Sequence, residues 1–265
     1  MKYGFLGAGQ MGEAIIAGLV KRGGVTPGRI HIVDANPERA EAVRALHGVT
    51  VEADAASVVE RAGVIVVATK PQDMGALLAS LPRKAVRGKL FVSIAAGKSV
   101  AFVEALVPGA RVARVMPNLA MRVGEGMSCV TFGATVTAED RASVIALLEC
   151  SGQAREMPEN LFDAVTALSG SGPAFVAVLA QAFVEGAAAL GMAREDALAL
   201  TLQTLRGTAK VLAEGNVPLT DFVAHVTSKG GTTAAGRAVL EAADVAAVIA
   251  ATLKAAADRS KELGN

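Results

Sequence analysis

The sequence predicts an α/β protein, with a doubly wound, mainly parallel sheet in its N-terminal part and an all-helical C-terminal part. Three observations carry this. A short apolar run at residues 3–6 leads into Gly7-Ala8-Gly9-Gln10-Met11-Gly12, then into a segment with helical spacing and Ile15, Ile16 and Leu19 on one side. Short apolar, often β-branched runs then alternate with helical patterns as far as residue 157, the mark of parallel strands joined by crossover helices. Beyond Pro158 no strand run remains, and segments of helical composition take over. The division implied is 1–158 and 159–265.

Strand, glycine turn and helix is the context that makes G-x-G-x-x-G a dinucleotide-binding fingerprint of the Rossmann type. Gly7 is expected to make the tight turn, Gly9 to let the backbone approach a pyrophosphate, and Gly12 to let the helix pack on the strand. Unpaired N–H groups and the helix dipole favour phosphates there, so Gly7, Ala8, Gly9, Gln10, Met11 and Gly12 form a candidate cradle. Arg22-Gly23-Gly24 ends the helix. Residues 29–33 (RIHIV) read as a second strand, closed by Asp34. Asp34 follows Gly12 at close to the ~20-residue separation expected of the acid that holds the adenosine ribose hydroxyls.

A helix from 37 to 46, a short strand at 49–51, a helix near 57–61 and a strand at 64–68 (VIVVA) come next. The last is apolar throughout, as a strand buried on both faces should be. Runs at 90–94 and 111–116 repeat the pattern, with a helix at 100–107 between them. A run at 127–132, a helix at 139–148 and a run at 153–157 finish this half. In the second half, 161–168, 174–190, 194–214, 219–225 and 234–262 have helical composition. Pro173 suits a first helical turn and Gly191 a helix stop. Helices apolar nearly all round need burial. A homodimer whose helices pack across subunits is therefore expected.

Composition excludes several functions. Lys and Arg total 26 against 25 for Asp and Glu, which gives no electrostatic footprint for nucleic acid or an anionic membrane surface. Cys129 and Cys150 show neither metal spacing nor a disulfide framework and read as buried free thiols, so no metal is expected. No signal-type segment opens the chain, and no uninterrupted apolar stretch reaches the ~20 residues of a membrane span. The expectation is a cytoplasmic protein with no membrane partner.

In an open parallel sheet, ligands bind outside the carboxyl ends of the strands. Three such ends carry small or polar residues: Ala68-Thr69-Lys70-Pro71, Ser93-Ile94-Ala95-Ala96-Gly97 and Met116-Pro117-Asn118. Small residues and Gly97 allow close approach to a nicotinamide ribose, and Lys70 suits a ribose or phosphate. In the helical half, Ser169-Gly170-Ser171-Gly172-Pro173 reads as a flexible turn opening a helix. Thr227-Ser228-Lys229-Gly230-Gly231-Thr232-Thr233 reads either as a helix cap or as a loop whose N–H groups take a carboxylate. His31, His47 and His225 are the only histidines, and no Ser/His/Asp, Cys/His, H-E-x-x-H or P-loop arrangement is evident. Hydride transfer to an imine fits this poverty, because an imine is protonated before hydride arrives.

Over nearly its whole length the chain resembles the pyrroline-5-carboxylate reductases. The motifs are GAGQMG at 7–12, ATKPQ at 68–72, SIAAG at 93–97, RVMPN at 114–118, ALSGSGPAF at 167–175 and TSKGGTT at 227–233. The resemblance implies a Rossmann domain plus an all-α dimerisation domain, often assembled as rings of dimers, a decamer. It implies reduction of 1-pyrroline-5-carboxylate to L-proline with NADPH or NADH, the last step of proline biosynthesis. It puts the substrate carboxylate on Ser228, Gly230, Gly231, Thr232 and Thr233, with Thr233 also bonding the ring nitrogen and Glu159 as a substrate-side acid. It lays the nicotinamide along Ala68, Thr69, Lys70 and Pro71 and along Ala95, Ala96 and Gly97, with Asn118 and His225 at the cofactor. Cofactor and substrate loop would come from different subunits. The chain departs from the family at Leu119-Ala120, where Thr-Pro is usual, at Lys229, where proline is common, and at His225 and Ala55, where asparagine is frequent.

Asp34 would repel a 2′-phosphate and so favours NADH, whereas Asn36 and Arg39 lie just beyond and Arg39 can turn back to a phosphate. Three other functions are compatible with the pattern, the first being reduction of a related cyclic imine such as the six-membered homologue. A β-hydroxyacid dehydrogenase would use a lysine of the second domain, for which Lys210 is the one candidate, and leaves the GGTT loop without a purpose. A nucleotide-binding paralogue without turnover would fit the altered Leu119-Ala120 and His225.

Overall fold

The computed structural model describes residues 1–215 and 217–264. Packing divides the chain into two compact units, residues 1–171 with 254–265 and residues 172–253. The sequence places the division after Pro158, and by packing residues 159–171 fall within the first unit. Glu159 Oε1 accepts from Arg114 at 2.9 Å, and Ser260 Oγ donates to Asp163 Oδ1 at 2.8 Å.

The first unit opens with β1 (Tyr3–Leu6), α1 (Gln10–Lys21), β2 (Ile30–Val33), α2 (Pro37–His47), β3 (Thr50–Val51) and α3 (Ala55–Arg61). It continues through β4 (Val64–Val67), α4 (Pro71–Ala79), α5 (Arg83–Val86), β5 (Leu90–Ser93) and α6 (Val100–Leu106). It closes with β6 (Arg111–Met116), β7 (Gly126–Phe132), α7 (Ala138–Glu149), β8 (Gly152–Glu156) and α8 (Phe162–Val165). The strand order is β3-β2-β1-β4-β5-β6-β7-β8. All neighbours are parallel except β6 and β7. The expected doubly wound, mainly parallel sheet is thus what forms. Chain order reverses at β1, between β2 and β4, and in such a sheet the ligand crevice lies at that point.

Two apolar layers cover the sheet. Phe5, Ile15, Ile16, Leu19, Ile32 and Leu148 belong to one, which holds α1, α2 and α7. Leu6, Val59, Ile65, Met74, Phe91 and Val103 belong to the other, under α3 to α6. Burying side chains of β4 on both faces explains its unbroken Val-Ile-Val-Val run.

The second unit contains α9 (Gly172–Ala189), α10 (Arg194–Gly215), α11 (Leu219–His225) and α12 (Thr232–Ala242). The last helix, α13 (Val245–Gly264), begins there and ends in the first unit. The one helix expected over 234–262 is broken. Asp244 adopts φ +46, and its carboxylate accepts from Ala247 N–H, capping α13. Gly191 (φ +92) ends α9 as expected.

Among the described residues of this unit, only Ala180, Val184 and Ala197 are buried. Phe183 is 62% and Leu190 90% exposed, and Leu198, Leu202, Val239 and Val248 are exposed too. An apolar groove of about 460 Å3 runs between α9 and α10, lined by Ala177, Val184, Leu198 and Leu202. The helical stretch Glu159–Ala189 has no uninterrupted apolar run of about 20 residues, yet by length and composition it could cross a membrane, with mean hydropathy 1.5 over its most apolar 18 residues.

Candidate functional site

At the carboxyl end of β1 each glycine has a separate physical reason. Gly7 has φ +102, and a Cβ there would lie 2.7 Å from the Ala68 carbonyl oxygen, so only glycine passes between β1 and β4. A Cβ on Gly12 would lie 2.7 Å from the Gly7 oxygen, which is the close helix–strand contact expected. Gly9 differs, since a Cβ there would meet nothing within 4 Å. It is the N-cap of α1 and offers no side-chain acceptor, so the first N–H groups of the helix face open space uncapped.

Asp34 closes β2 and is fixed on both sides. One oxygen accepts from Ala8 N–H at 2.7 Å and the other from Asn36 N–H at 2.9 Å. Asn36, placed by sequence at the cofactor, spends its side chain on capping α2, accepting from the N–H groups of Glu38 and Arg39. Arg39 Nε donates to the Ala8 carbonyl at 2.7 Å, and its terminal nitrogen pairs with Glu13 of α1. The other Glu13 oxygen lies 3.4 Å from His47 Nε2. Burial pushes the Glu13 carboxyl up, but hydrogen bonds from Arg39 and His47 outweigh it and hold the group below its ordinary value.

The next strand ends lie along the same edge. Ala68 N–H donates to Leu6 at 2.8 Å, and Pro71 starts α4 with Lys70 exposed as its N-cap. The Thr69 hydroxyl is buried without a partner. After β5, Ala95 is buried and Ala96 exposed. Gly97 (φ +76) has its own close neighbour, because a Cβ there would lie 3.0 Å from Gly264 Cα at the end of α13. Backbone packing, and not only room for a ribose, therefore requires that glycine.

Asn118 and Glu159 are both committed inside the unit. Asn118 bonds Ser169 Oγ (3.3 Å) and accepts from Met127 N–H (3.2 Å). Glu159 Oε1 takes the Val100 N–H at the start of α6 as well as Arg114. Arg114 is buried and stacks 4.6 Å from the Phe162 ring centroid. Its one advance signal is a charge inside an apolar strand run. The expected flexible turn at 169–173 is instead helical: residues Thr166–Gly170 form a π turn, with Ser171 N–H on the Thr166 carbonyl at 2.8 Å. Pro173 has no N–H to return four residues, and a wider turn before it relieves that mismatch.

In the second unit, Gly230 (φ +71) and the N-cap Gly231 turn the chain into α12. No side chain caps this helix, and Ser228, Thr232 and Thr233 are exposed. The first N–H groups of α12 and two hydroxyls therefore share one polar end, which suits an anion. His225 ends α11, also exposed.

The edge residues of the first unit fit a nicotinamide dinucleotide. They supply an open glycine cradle, uncapped N–H groups, an anchored carboxylate and an unpartnered buried hydroxyl. Among the described residues no three His, Cys, Asp or Glu side chains gather as a metal site. Burial pushes the Cys129 and Cys150 thiols up, so neither is a ready nucleophile. A recess of about 220 Å3 beside Gly126 and Gly152 is lined by none of the residues singled out from the sequence.

The chain is 39% identical to the pyrroline-5-carboxylate reductase of Methanosarcina acetivorans over 99% of its length and 98% of that protein's. It belongs to the pyrroline-5-carboxylate reductase family. The Arabidopsis thaliana reductase is 37% identical, over 99% of this chain and 95% of that one. The family description "Pyrroline-5-carboxylate reductase dimerisation" matches residues 159–263, and "NADP oxidoreductase coenzyme F420-dependent" matches 2–97. The Coxiella burnetii reductase structure superposes with a TM-score of 0.94 at 28% identity, covering 100% of this chain and 98% of that one. The Plasmodium falciparum structure, described with NADP bound, gives 0.90 at 26% identity over the same shares. Self-association of this family member accounts for the exposed apolar faces of α9, α10 and α12, including the stretch long enough for a membrane.

Proposed function

We propose that this protein is an NAD(P)H-dependent reductase of 1-pyrroline-5-carboxylate, yielding L-proline as the last step of proline biosynthesis in the cytoplasm. The observation that carries the reading is the similarity to curated reductases of that name across both units. A bound dihydronicotinamide supplies the hydride. The uncapped start of α1 holds the pyrophosphate over Gly9, and Asp34 accepts from the ribose hydroxyls. The ends of β4 and β5, Ala68 to Pro71 and Ala95 to Gly97, line the nicotinamide. The N–H groups at the start of α12 hold the substrate carboxylate.

Hydride adds to the carbon of the C=N bond, and the electron pair of that bond moves to nitrogen, which already carries its proton. No general acid is therefore needed. The Thr233 hydroxyl accepts from the iminium N–H and fixes the face presented to the nicotinamide. Glu159 acts by position, since the Oε1 of its carboxylate joins Arg114 to the start of α6. The homodimer supplies the two loops to each site from different subunits.

Asp34 makes NADH the preferred cofactor. A 2′-phosphate would meet a carboxylate already fixed by two N–H groups, while Arg39 is engaged by Glu13. The Plasmodium falciparum relative was solved with NADP, so the preference proposed here belongs to this chain's own residues.

The test is turnover of pyrroline-5-carboxylate with NADH and with NADPH, in the native protein and in Thr233→Ala. Turnover that favours NADH and falls about 100-fold in the variant is expected, the range for one lost transition-state hydrogen bond. Absence of turnover with either cofactor, in protein that binds nucleotide, would refute the assignment.

A further inference from the structure

One guanidinium beside the cofactor edge is occupied in an unexpected way. Ala8 N–H donates to Asp34, and the Ala8 carbonyl accepts from Arg39 Nε, so a single residue links the carboxylate and the arginine. A planar, permanently charged fork next to that carboxylate is the group suited to a ribose 2′-phosphate. Here Glu13, one turn into α1, takes its terminal N–H, and His47 closes the other side of Glu13. The side chains of Arg39 and Glu13 are only 32% and 25% exposed, so the pair is partly sheltered from solvent.

We infer that Glu13 is a specificity-determining residue, which holds Arg39 away from the ribose 2′ position and so keeps the site selective for the unphosphorylated dinucleotide. The inference rests on Asp34 being the ribose acid. Glu13 itself touches neither cofactor nor substrate and acts through Arg39. Withdrawing its charge leaves the guanidinium free to turn to a phosphate, while Asp34 and the glycine cradle stay as they are.

The experiment measures binding of 2′,5′-ADP and 5′-AMP by calorimetry to the native protein, Glu13→Gln, Glu13→Gln/Arg39→Leu and Arg39→Leu. The native protein is expected to prefer 5′-AMP. In Glu13→Gln, 2′,5′-ADP should bind about tenfold tighter, the scale of a new charge-assisted hydrogen bond, with 5′-AMP within about twofold. Adding Arg39→Leu should abolish the gain. A native preference for 5′-AMP with an unchanged ratio in Glu13→Gln, or a gain that survives loss of Arg39, would overturn the role of Glu13 alone. A native preference for 2′,5′-ADP would overturn the Asp34 reading with it. Should Glu13→Gln fail to fold, Arg39→Leu decides, since a withheld arginine can be removed without lowering the 2′,5′-ADP to 5′-AMP affinity ratio.

Discussion

The first two glycines of one loop, Gly7 and Gly9, should respond oppositely to the same added methyl group. At Gly7, alanine must adopt φ +102, and its Cβ would lie 2.7 Å from the Ala68 oxygen and 3.0 Å from Thr69 N, all backbone atoms. The conformation costs about 1–2 kcal/mol, and overlap with atoms that cannot rotate away costs about 1–3 kcal/mol more. A total of about 2–5 kcal/mol lowers the thermal midpoint by about 4–20 °C at this chain length. At Gly9 the backbone is extended (φ −62, ψ −174) and the space beside it is empty. Alanine there loses a little as an N-cap and gains from a stiffer unfolded chain, so stability should stay within about 0.5 kcal/mol. Its methyl would instead stand where the proposed pyrophosphate approaches. An overlap of about 1–3 kcal/mol weakens cofactor binding about 5- to 150-fold. Thermal unfolding and a titration of NADH fluorescence read both quantities on both variants. A Gly9→Ala protein that binds NADH like the native one would refute the placement of the pyrophosphate. A Gly7→Ala protein of native stability would refute the steric argument.

Three more outcomes follow from the geometry. Glu13 titrates below its ordinary value in the fold, so its contribution is fully present above the ordinary carboxylate range and is lost as pH falls through the depressed value; acid unfolding of Glu13→Gln should therefore start from lower stability at neutral pH and lose less between there and the acid limb. Phe183→Asp, on an exposed face of α9, should turn the homodimer into monomer in sedimentation, because a charge at a dry helix interface costs several kcal/mol. A Cβ on Gly170 would lie 2.4 Å from Met116 Cε, so Gly170→Ala should cost about 1–2 kcal/mol, and Met116→Val should recover most of it in a double-mutant cycle of urea midpoints.

What could be read in advance followed from single residues with one physical requirement. Gly7 and Gly12 answer to backbone crowding, Gly191 to a left-handed helix stop, and the β4 run to burial on two faces. What could not be read depended on partners remote in sequence. Arg39 has the right spacing to face a phosphate, and only the crossing of α1 and α2 shows that Glu13 holds it. Resemblance alone places Glu159 at the substrate, and its bonds to Arg114 and to Val100, 45 and 59 residues away, are not legible from spacing. Ser169 to Pro173 has the composition of a loose turn, and small residues do serve that purpose. They equally permit a wide helical turn, and the missing N–H of Pro173 decides between the two. Asp244 carried a usable sign, as an N-cap residue inside an alanine-rich run, that composition alone masks.

The second unit bears most directly on the proposed catalysis, because the loop proposed for the substrate belongs to helices that bury very little. Among its described residues only Ala180, Val184 and Ala197 are buried, far from the apolar interior that normally offsets the entropy of ordering a chain. Self-association would cover the apolar side chains that α9 and α10 leave exposed, among them Phe183, Leu198 and Leu202. The turn into α12 is set by Gly230 and Gly231 and belongs to the same sparsely buried unit. On the proposed function, association would steady the end of α12, whereas the cradle at Gly9 stands on a sheet with two apolar layers. Nucleotide binding should therefore survive conditions that dissociate the dimer, and reduction of the imine should not.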